Sequence, residues 1–411
     1  MRYRLLFLLC VAAMIAYIQR AAPSVPLAKI AGDLQVVDLA RDMGWVSAAW
    51  YFGYAAMQLP SGWLADWLGS RVALAALCST WSLLTLLTGV TESYWSLMAI
   101  WTLMGAAQAG IFPCSAKAIA QTFPDLERAR ASGLLACGMY VGTALGPLLT
   151  AQLLGHFPWP GAVGWRFCML LYAVPGFLWS LVFLELISSR ELPAQSVGPV
   201  IRATVGPALA SRPMLLLFTQ QFLRAGASVF FVTWFPLYLQ KTRDVSVGKS
   251  GVLTFYAALG SMFGALLGGF ASDALLQYTG NRRLARQGIA VAGISSCAVL
   301  ALVSYYVSDE SLAIGLISLG MFCANFGGVS AYTMAMELGG QRVTTVFSTM
   351  NMCGNVGAMI FPVAVGWLVS ATDNNWDLAL FLFIGIMAAA AVCWAMLQAP
   401  ESPLGDKNAA R

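Results

Sequence analysis

The chain has 411 residues, of which 59% are apolar and 10% charged, and its mean hydropathy is +0.73. Soluble domains carry about 25% charged residues, so composition excludes an ordinary water-borne globule and points to an all-α membrane protein. The net charge of +5 reflects basic residues in the short breaks between apolar stretches, as expected of loops kept on the cytoplasmic side, and gives nucleic acid no support as a partner.

A bilayer core requires roughly 20 apolar residues per helix, and the sequence offers twelve such stretches, at about 5–30, 44–65, 72–90, 95–119, 130–154, 166–187, 213–239, 247–270, 286–306, 311–336, 343–370 and 377–398. The first follows Arg2 and Arg4 and is interrupted by Gln19-Arg20, with no small-residue cleavage site after it, so it is expected to be a retained helix. The second ends in Gly62-Trp63-Leu64-Ala65-Asp66, with Arg71 just beyond. The fifth carries Gly138-x-x-x-Gly142-x-x-x-Gly146-Pro147.

The longest break, about 188–212, holds Pro193, Pro199 and Pro207 among charged residues and cannot span. It is expected to be a cytoplasmic linker between a six-helix bundle at 1–187 and a second at 213–398, with 399–411 as a cytoplasmic tail. The eighth stretch ends in Gly269-Phe270-Ala271-Ser272-Asp273, repeating the Gly-x-x-x-Asp of the second, and the eleventh carries Gly354-x-x-Gly357 and Pro362, echoing the fifth. Repetition at equivalent places predicts two pseudo-symmetric six-helix bundles. In each Gly-x-x-x-Asp the glycine permits close approach while the aspartate can meet a helix N-terminus or an arginine in the adjoining loop. Asp66, Arg71 and Asp273 are therefore the candidate gating residues.

An even number of spans puts both termini on one side, and the excess of Lys and Arg makes that side the cytoplasm. The nine cysteines fall inside apolar segments without metal-like clustering, so free thiols, no metal and no cofactor are expected. No Asn-x-Ser/Thr acceptor occurs, which fits a multi-pass protein of a bacterial inner membrane, and a monomer is expected.

Charge at membrane depth is costly and marks contact with cargo or with another charge. Arg20 lies about 24 Å along a helix from Arg4, and Arg224 about 18 Å beyond Arg212. They occupy equivalent places in the two repeats, with no carboxylate at similar depth, which implies an anionic cargo held by bidentate guanidinium bonds. Against this stand bonding of Arg20 to broken backbone near Pro23 and Pro26, and pairing of Arg224 with Gln220. Tyr17 shares a helical face with Arg20. Tyr54, Gln19, Gln108, Asn351 and Asn355 complete the candidate substrate-binding set, although buried amides also serve as interhelical glue. His156, the single histidine, falls in an outer loop, and Glu337 and Lys117 lie toward cytoplasmic helix ends.

The loop signature Gly62, Leu64, Asp66, Gly69 and Arg71 resembles that of the major facilitator superfamily, with Trp67 where a basic residue is usual. Within it the chain resembles the anion:cation symporter family of sugar-acid and organic-anion transporters. The resemblance rests on Tyr17-Ile18-Gln19-Arg20, Tyr54-x-x-x-Gln58-x-Pro60-x-Gly62-Trp63, Phe123-Pro124-x-x-Glu127-Arg128, Gly164-Trp165-Arg166, Thr233-Trp234-Phe235-Pro236-x-Tyr238-Leu239 and Asn351-x-x-Gly354-Asn355-x-Gly357. It implies alternating-access transport of a sugar acid or other carboxylate, with Arg20 as principal anion-binding residue. Gln19 and Gln108 stand where that family has carboxylates, and Trp101 where an arginine is common. Coupling to a proton is thereby opened to replacement by a counter-anion. The alternatives are an organophosphate:phosphate-type exchanger, whose histidine in the fifth span is missing here, and an anion exporter without proton coupling. An enzyme is not expected, because no cluster of acids, histidines or a nucleophile lies near an interface.

Overall fold

Apolar chain in a bilayer must hydrogen-bond its own backbone, and the helix is the local way to do so. The protein, seen in a computed structural model, follows that rule. The structure describes residues 2–123, 125–156, 163–189, 191–192, 211–339 and 343–397, and among these there is no strand. The greater part of the expected linker and the tail at 399–411 lie outside the described residues. The helices are α1 (Arg2–Ala21), α2 (Leu27–Asp33), α3 (Leu39–Val90), α4 (Tyr94–Gln108), α5 (Ile111–Thr122), α6 (Asp125–His156), α7 (Val163–Leu186) and α8 (Arg212–Val229). They continue with α9 (Phe235–Thr242), α10 (Val247–Thr279), α11 (Ile289–Tyr306), α12 (Glu310–Gly328), α13 (Ser330–Gly339), α14 (Val343–Ser370) and α15 (Asp377–Met396).

Among the described residues, 11 segments are long and apolar enough to cross a membrane. The twelfth expected span is the first part of α3, which is less apolar because Trp45, Trp50, Tyr51, Tyr54 and Gln58 take places that aliphatic residues hold elsewhere. The loop expected after it shrinks to one residue: Gly69, at φ 76° and ψ 150°, breaks α3 where a side chain would be strained.

The expected first, fourth, seventh and tenth spans are each interrupted. Pro23 and Pro26 force a 3-10 turn at Ala22–Ser24 between α1 and α2. α4 stops at Gln108 before α5, a π-helical turn at Phe230–Trp234 separates α8 from α9, and Val329 separates α12 from α13. Arg20, Gln108, Arg224 and Asn325 each precede one of these breaks, the arrangement by which transporters place polar groups at membrane depth.

The chain divides into two compact units. Unit 1 comprises Met1–Val200, Phe231–Phe255 and Pro362–Asn374, and unit 2 comprises Ile201–Phe230, Tyr256–Phe361 and Asn375–Arg411. In unit 1, α1 lies on α6 through the glycine ladder. A Cβ at Gly138, Gly142 or Gly146 would stand 2.5, 2.4 and 3.0 Å from the carbonyl oxygens of Cys10, Met14 and Ile18, so only glycine permits this approach. The ladder fixes the register of α1 and with it the places of Tyr17 and Arg20. In unit 2, α8 meets α14 in the same way, a Cβ at Gly357 standing 2.1 Å from the Phe222 carbonyl oxygen, and Arg224 follows one half-turn later.

α3 and α7 cap each other. Arg71 donates to the carbonyl oxygens of Ile187 and, at 2.5 Å, Leu184, at the C-terminal end of α7. Arg166, at the start of α7, donates to those of Gly89 at 3.3 Å and Thr91 at 2.5 Å, at the end of α3. Each guanidinium satisfies orphan carbonyls and lies at the negative end of a helix dipole.

Candidate functional site

The last turn of α1 brings Arg20 against the aromatic part of α3. Its Nη2 donates to the Tyr51 hydroxyl, and its guanidinium carbon lies 3.7 Å from the centre of the Trp50 ring, 4.8 Å from that of Tyr51 and 5.5 Å from that of Tyr17. Aromatic faces attract a guanidinium electrostatically without neutralising it. Among the described residues, no carboxylate lies within ion-pairing distance of Arg20.

A cavity opens beside this guanidinium, within unit 1. Trp50, Tyr51 and Trp101 give it aromatic walls, and Pro23, Leu27 and Val232 give it apolar ones. Its other polar lining consists of the hydroxyl residues Ser24, Ser47 and Thr233, and the Ser24 hydroxyl is already spent on the Ala21 carbonyl oxygen at 2.7 Å. Thr233 reaches the cavity from the π-helical turn between α8 and α9, a distortion frequent at functional sites.

Of the residues expected at the site, Tyr17 touches Arg20, and Tyr54 stands behind it, stacked on Trp50 with centroids 5.0 Å apart and planes at 19°. Neither glutamine lines the cavity. Gln19, 1% exposed, donates its amide to the Tyr172 carbonyl oxygen at 2.7 Å and the Ser82 hydroxyl at 3.5 Å, tying α1 to α7 and α3. Gln108, 3% exposed, donates to the Ala16 carbonyl oxygen at 3.1 Å and so holds the end of α4 against α1. Both act as interhelical ties because their helix faces look into the packed interior.

Arg224 belongs to unit 2 and is 9% exposed. The pairing with Gln220 that the sequence suggests is corrected: Arg224 Nη2 donates to Gln221 Oε1 at 3.1 Å, whereas Gln220 accepts from the Trp394 indole at 3.0 Å. The Arg224 Nε has no acceptor among the described residues, and the guanidinium lies against Gly328, where an added Cβ would stand 2.9 Å from Nη1. Asn351 and Asn355 lie half-buried on α14 in the same unit. Asn325 donates to the Met321 carbonyl oxygen of its own helix at 3.0 Å.

The expected gating residues separate in role. The Asp66 side chain lies outside the described residues. Arg71 is the cap of α7 described above. Asp273 accepts from Arg286 at 2.8 Å; Arg286 also donates to Glu337 at 3.3 Å and to the Ser272 hydroxyl at 2.5 Å. The π-helical turn Arg283–Gly288 carries that arginine, so the second Gly-x-x-x-Asp ends in an arginine-centred cluster.

Sequence reasoning passed over Trp50 and Tyr51 as partners of Arg20 and Trp101 as a wall of its cavity. The available signal was the aromatic content of the second span and the unusual tryptophan at position 101, but neither announces which side chains meet.

The family model described as "Major Facilitator Superfamily" matches residues 5–336 and 250–411. A "Probable galactarate/D-glucarate transporter" of Escherichia coli (strain K12) is 29% identical, over 96% of this chain and 94% of that relative. A "Probable sulfoacetate transporter" of Cupriavidus necator is 26% identical over 98% of this chain and 96% of the relative. A "D-galactonate transporter" of Escherichia coli O6:H1 is 28% identical over 89% of each. Among solved structures, a bacterial homologue of the human lysosomal transporter Spinster superposes with a TM-score of 0.78 at 18% identity, over 96% of this chain and 95% of that one. The nucleoside transporter NupG superposes at 0.75 and 12%, over 96% and 99%.

Proposed function

The chain belongs to the Major Facilitator Superfamily, and on that premise we propose that it carries a small organic anion across the membrane, with Arg20 as the principal anion-binding residue. It is a multi-pass membrane transporter, not an enzyme. The observation that carries the anion reading is the Arg20 guanidinium itself: it borders a cavity, lies against the neutral rings of Trp50, Tyr51 and Tyr17, and lacks an ionic partner among the described residues. A charge held at membrane depth costs about 2.5–3.5 kcal/mol. A carboxylate or sulfonate entering the cavity would offset that cost while forming two parallel N–H···O bonds with the planar fork. The printed names of the relatives, each a transporter of a small acid, support the same class.

In this reading the two halves of the chain alternate access to the site, both termini face the cytoplasm, and the membrane is a bacterial inner membrane. Entry of a monovalent anion against an inside-negative potential is opposed by about 2.3 kcal/mol per 100 mV. Coupling is therefore required for accumulation. The amides of Gln19 and Gln108 carry no titratable proton and are committed to backbone carbonyls, which supports exchange against a counter-anion.

The test is uptake of labelled organic anions into proteoliposomes, with pH gradient, potential and internal counter-anion varied independently. Uptake that depends on internal anion and is lost in Arg20→Ala is the expected result. Transport of neutral solutes alone, or anion uptake indifferent to Arg20, rejects the reading.

A further inference from the structure

The relatives' names span polyhydroxylated acids and a sulfonated acid, so the names do not decide what kind of body the anion carries. The cavity beside Arg20 does bear on it. A polyol chain leaving water needs an acceptor for every hydroxyl proton and donors for its lone pairs, and besides the few side-chain hydroxyls these come from amides, carboxylates or imidazoles. Among the described residues, none of those groups lines this cavity. Gln19 and Gln108, the amides expected at the site, are turned away and spent on the carbonyl oxygens of Tyr172 and Ala16. Of the four hydroxyl residues in the lining, Ser24 donates internally to Ala21 and Tyr51 accepts from Arg20, which leaves Ser47 and Thr233.

The rest of the lining is aromatic or aliphatic. Trp50 and Trp101 both have buried indole N–H groups with no acceptor among the described residues, so what polar capacity they add is donor capacity alone. The planar donor fork of Arg20 suits an acceptor-only head such as a carboxylate or sulfonate. Ring faces and the Pro23, Leu27 and Val232 side chains suit an apolar body.

Resting on the anion reading above, we infer that the Arg20 cavity is selective for small carboxylates or sulfonates whose bodies are apolar or aromatic with few hydroxyls, and that it disfavours polyhydroxylated sugar acids. Each hydroxyl left without a partner weakens binding roughly tenfold, whereas each added methylene buried against these walls tightens it about fourfold.

The experiment measures binding to the purified full chain in detergent, by intrinsic tryptophan fluorescence and by thermal shift. Two series of matched length serve as probes: apolar acids (hexanoate, hexanesulfonate, phenylacetate) and hydroxylated acids (gluconate, galactarate), together with neutral controls (hexanol, sorbitol). The expected result is binding of the apolar acids at least tenfold tighter than the hydroxylated ones, lost in Arg20→Ala, with the preference narrowed in Trp101→Ala. Should either variant fail to fold, Arg20→Lys and Trp101→Leu replace them, and the wild-type ranking stands by itself. Equal or tighter binding of gluconate or galactarate, still dependent on Arg20, or a preference unmoved at position 101, overturns this inference and leaves the anion-transporter reading intact. Neutral controls binding as well as the acids, or no acid binding at all, would instead remove the anion reading on which it rests.

Discussion

The guanidinium of Arg20 lies 3.7 Å from the centre of the Trp50 ring while its Nη2 donates to the neighbouring Tyr51 hydroxyl. One face of the planar cation is thus covered by an indole and one edge is pinned, an arrangement an ammonium cannot reproduce. Arg20→Lys keeps the charge and loses the stack. Proteoliposome uptake is expected to fall at least tenfold in kcat/KM for the lysine variant and to vanish for Arg20→Ala. Tyr51→Phe, which removes one hydrogen bond worth about 1 kcal/mol, raises KM roughly fivefold. A lysine variant with wild-type kinetics would contradict the planar-fork account.

Gln19 offers a contrast of sign. Its amide N–H group faces the Tyr172 carbonyl oxygen at 2.7 Å. Replacing it with methionine removes a tie whose acceptor already bonds within its own helix. Glutamate instead sets an oxygen against an oxygen in a buried place. Gln19→Glu is expected to lower stability by at least about 1–3 kcal/mol more than Gln19→Met, read as the difference in Tm of the two purified variants. Equal values would mean that the amide makes no such bond.

In unit 2, Arg286 is the shared partner of Asp273, Glu337 and Ser272. Its side chain is 8% exposed, whereas that of Asp273 is 66% exposed. Removing the arginine takes the shared partner from a partly buried Glu337, from Asp273 and from the buried Ser272 hydroxyl, a loss of about 1–3 kcal/mol. Removing Asp273 costs about 0–1 kcal/mol, because water already surrounds it. Thermal unfolding is expected to place Arg286→Ala far below Asp273→Ala, and the reverse order would refute the arginine-centred description.

The α1–α6 ladder couples packing to the site. A Cβ at Gly142 would stand 2.4 Å from the Met14 carbonyl oxygen and 2.9 Å from the Tyr17 Cβ. Gly142→Val therefore pushes α1 outward at the turn before Arg20. The expected consequence is both a lower Tm and a weakened anion affinity, whereas Gly133→Ala on the same helix, where an added Cβ meets nothing within 4 Å, lowers neither.

Much of the architecture was legible in the amino-acid order because hydropathy and the cost of unsatisfied backbone act on local stretches. The long apolar runs, Pro23 and Pro26 at the first break, the proline-rich division near the middle and the repeated glycine patterns all carry their meaning within a few turns of chain. Arg20 and Arg224 stood out for the same reason, since a charge inside an apolar run is conspicuous without knowledge of its neighbours. What surrounds them was a different matter. Gln19 and Gln108 have the composition of a binding site, yet helix rotation turns them to the carbonyl oxygens of Tyr172 and Ala16.

Trp50, Tyr51 and Trp101 have the composition of a core, yet they come together around Arg20. Arg71 reads as part of a gate and serves as the cap of α7, while Arg286, one basic residue among several in its loop, gathers Asp273 and Glu337. These roles depend on which faces of helices far apart in sequence meet. Such contacts are set by close approach at glycines such as Gly142 and by the hydrogen-bond geometry at the breaks, and they exist only once the helices have packed.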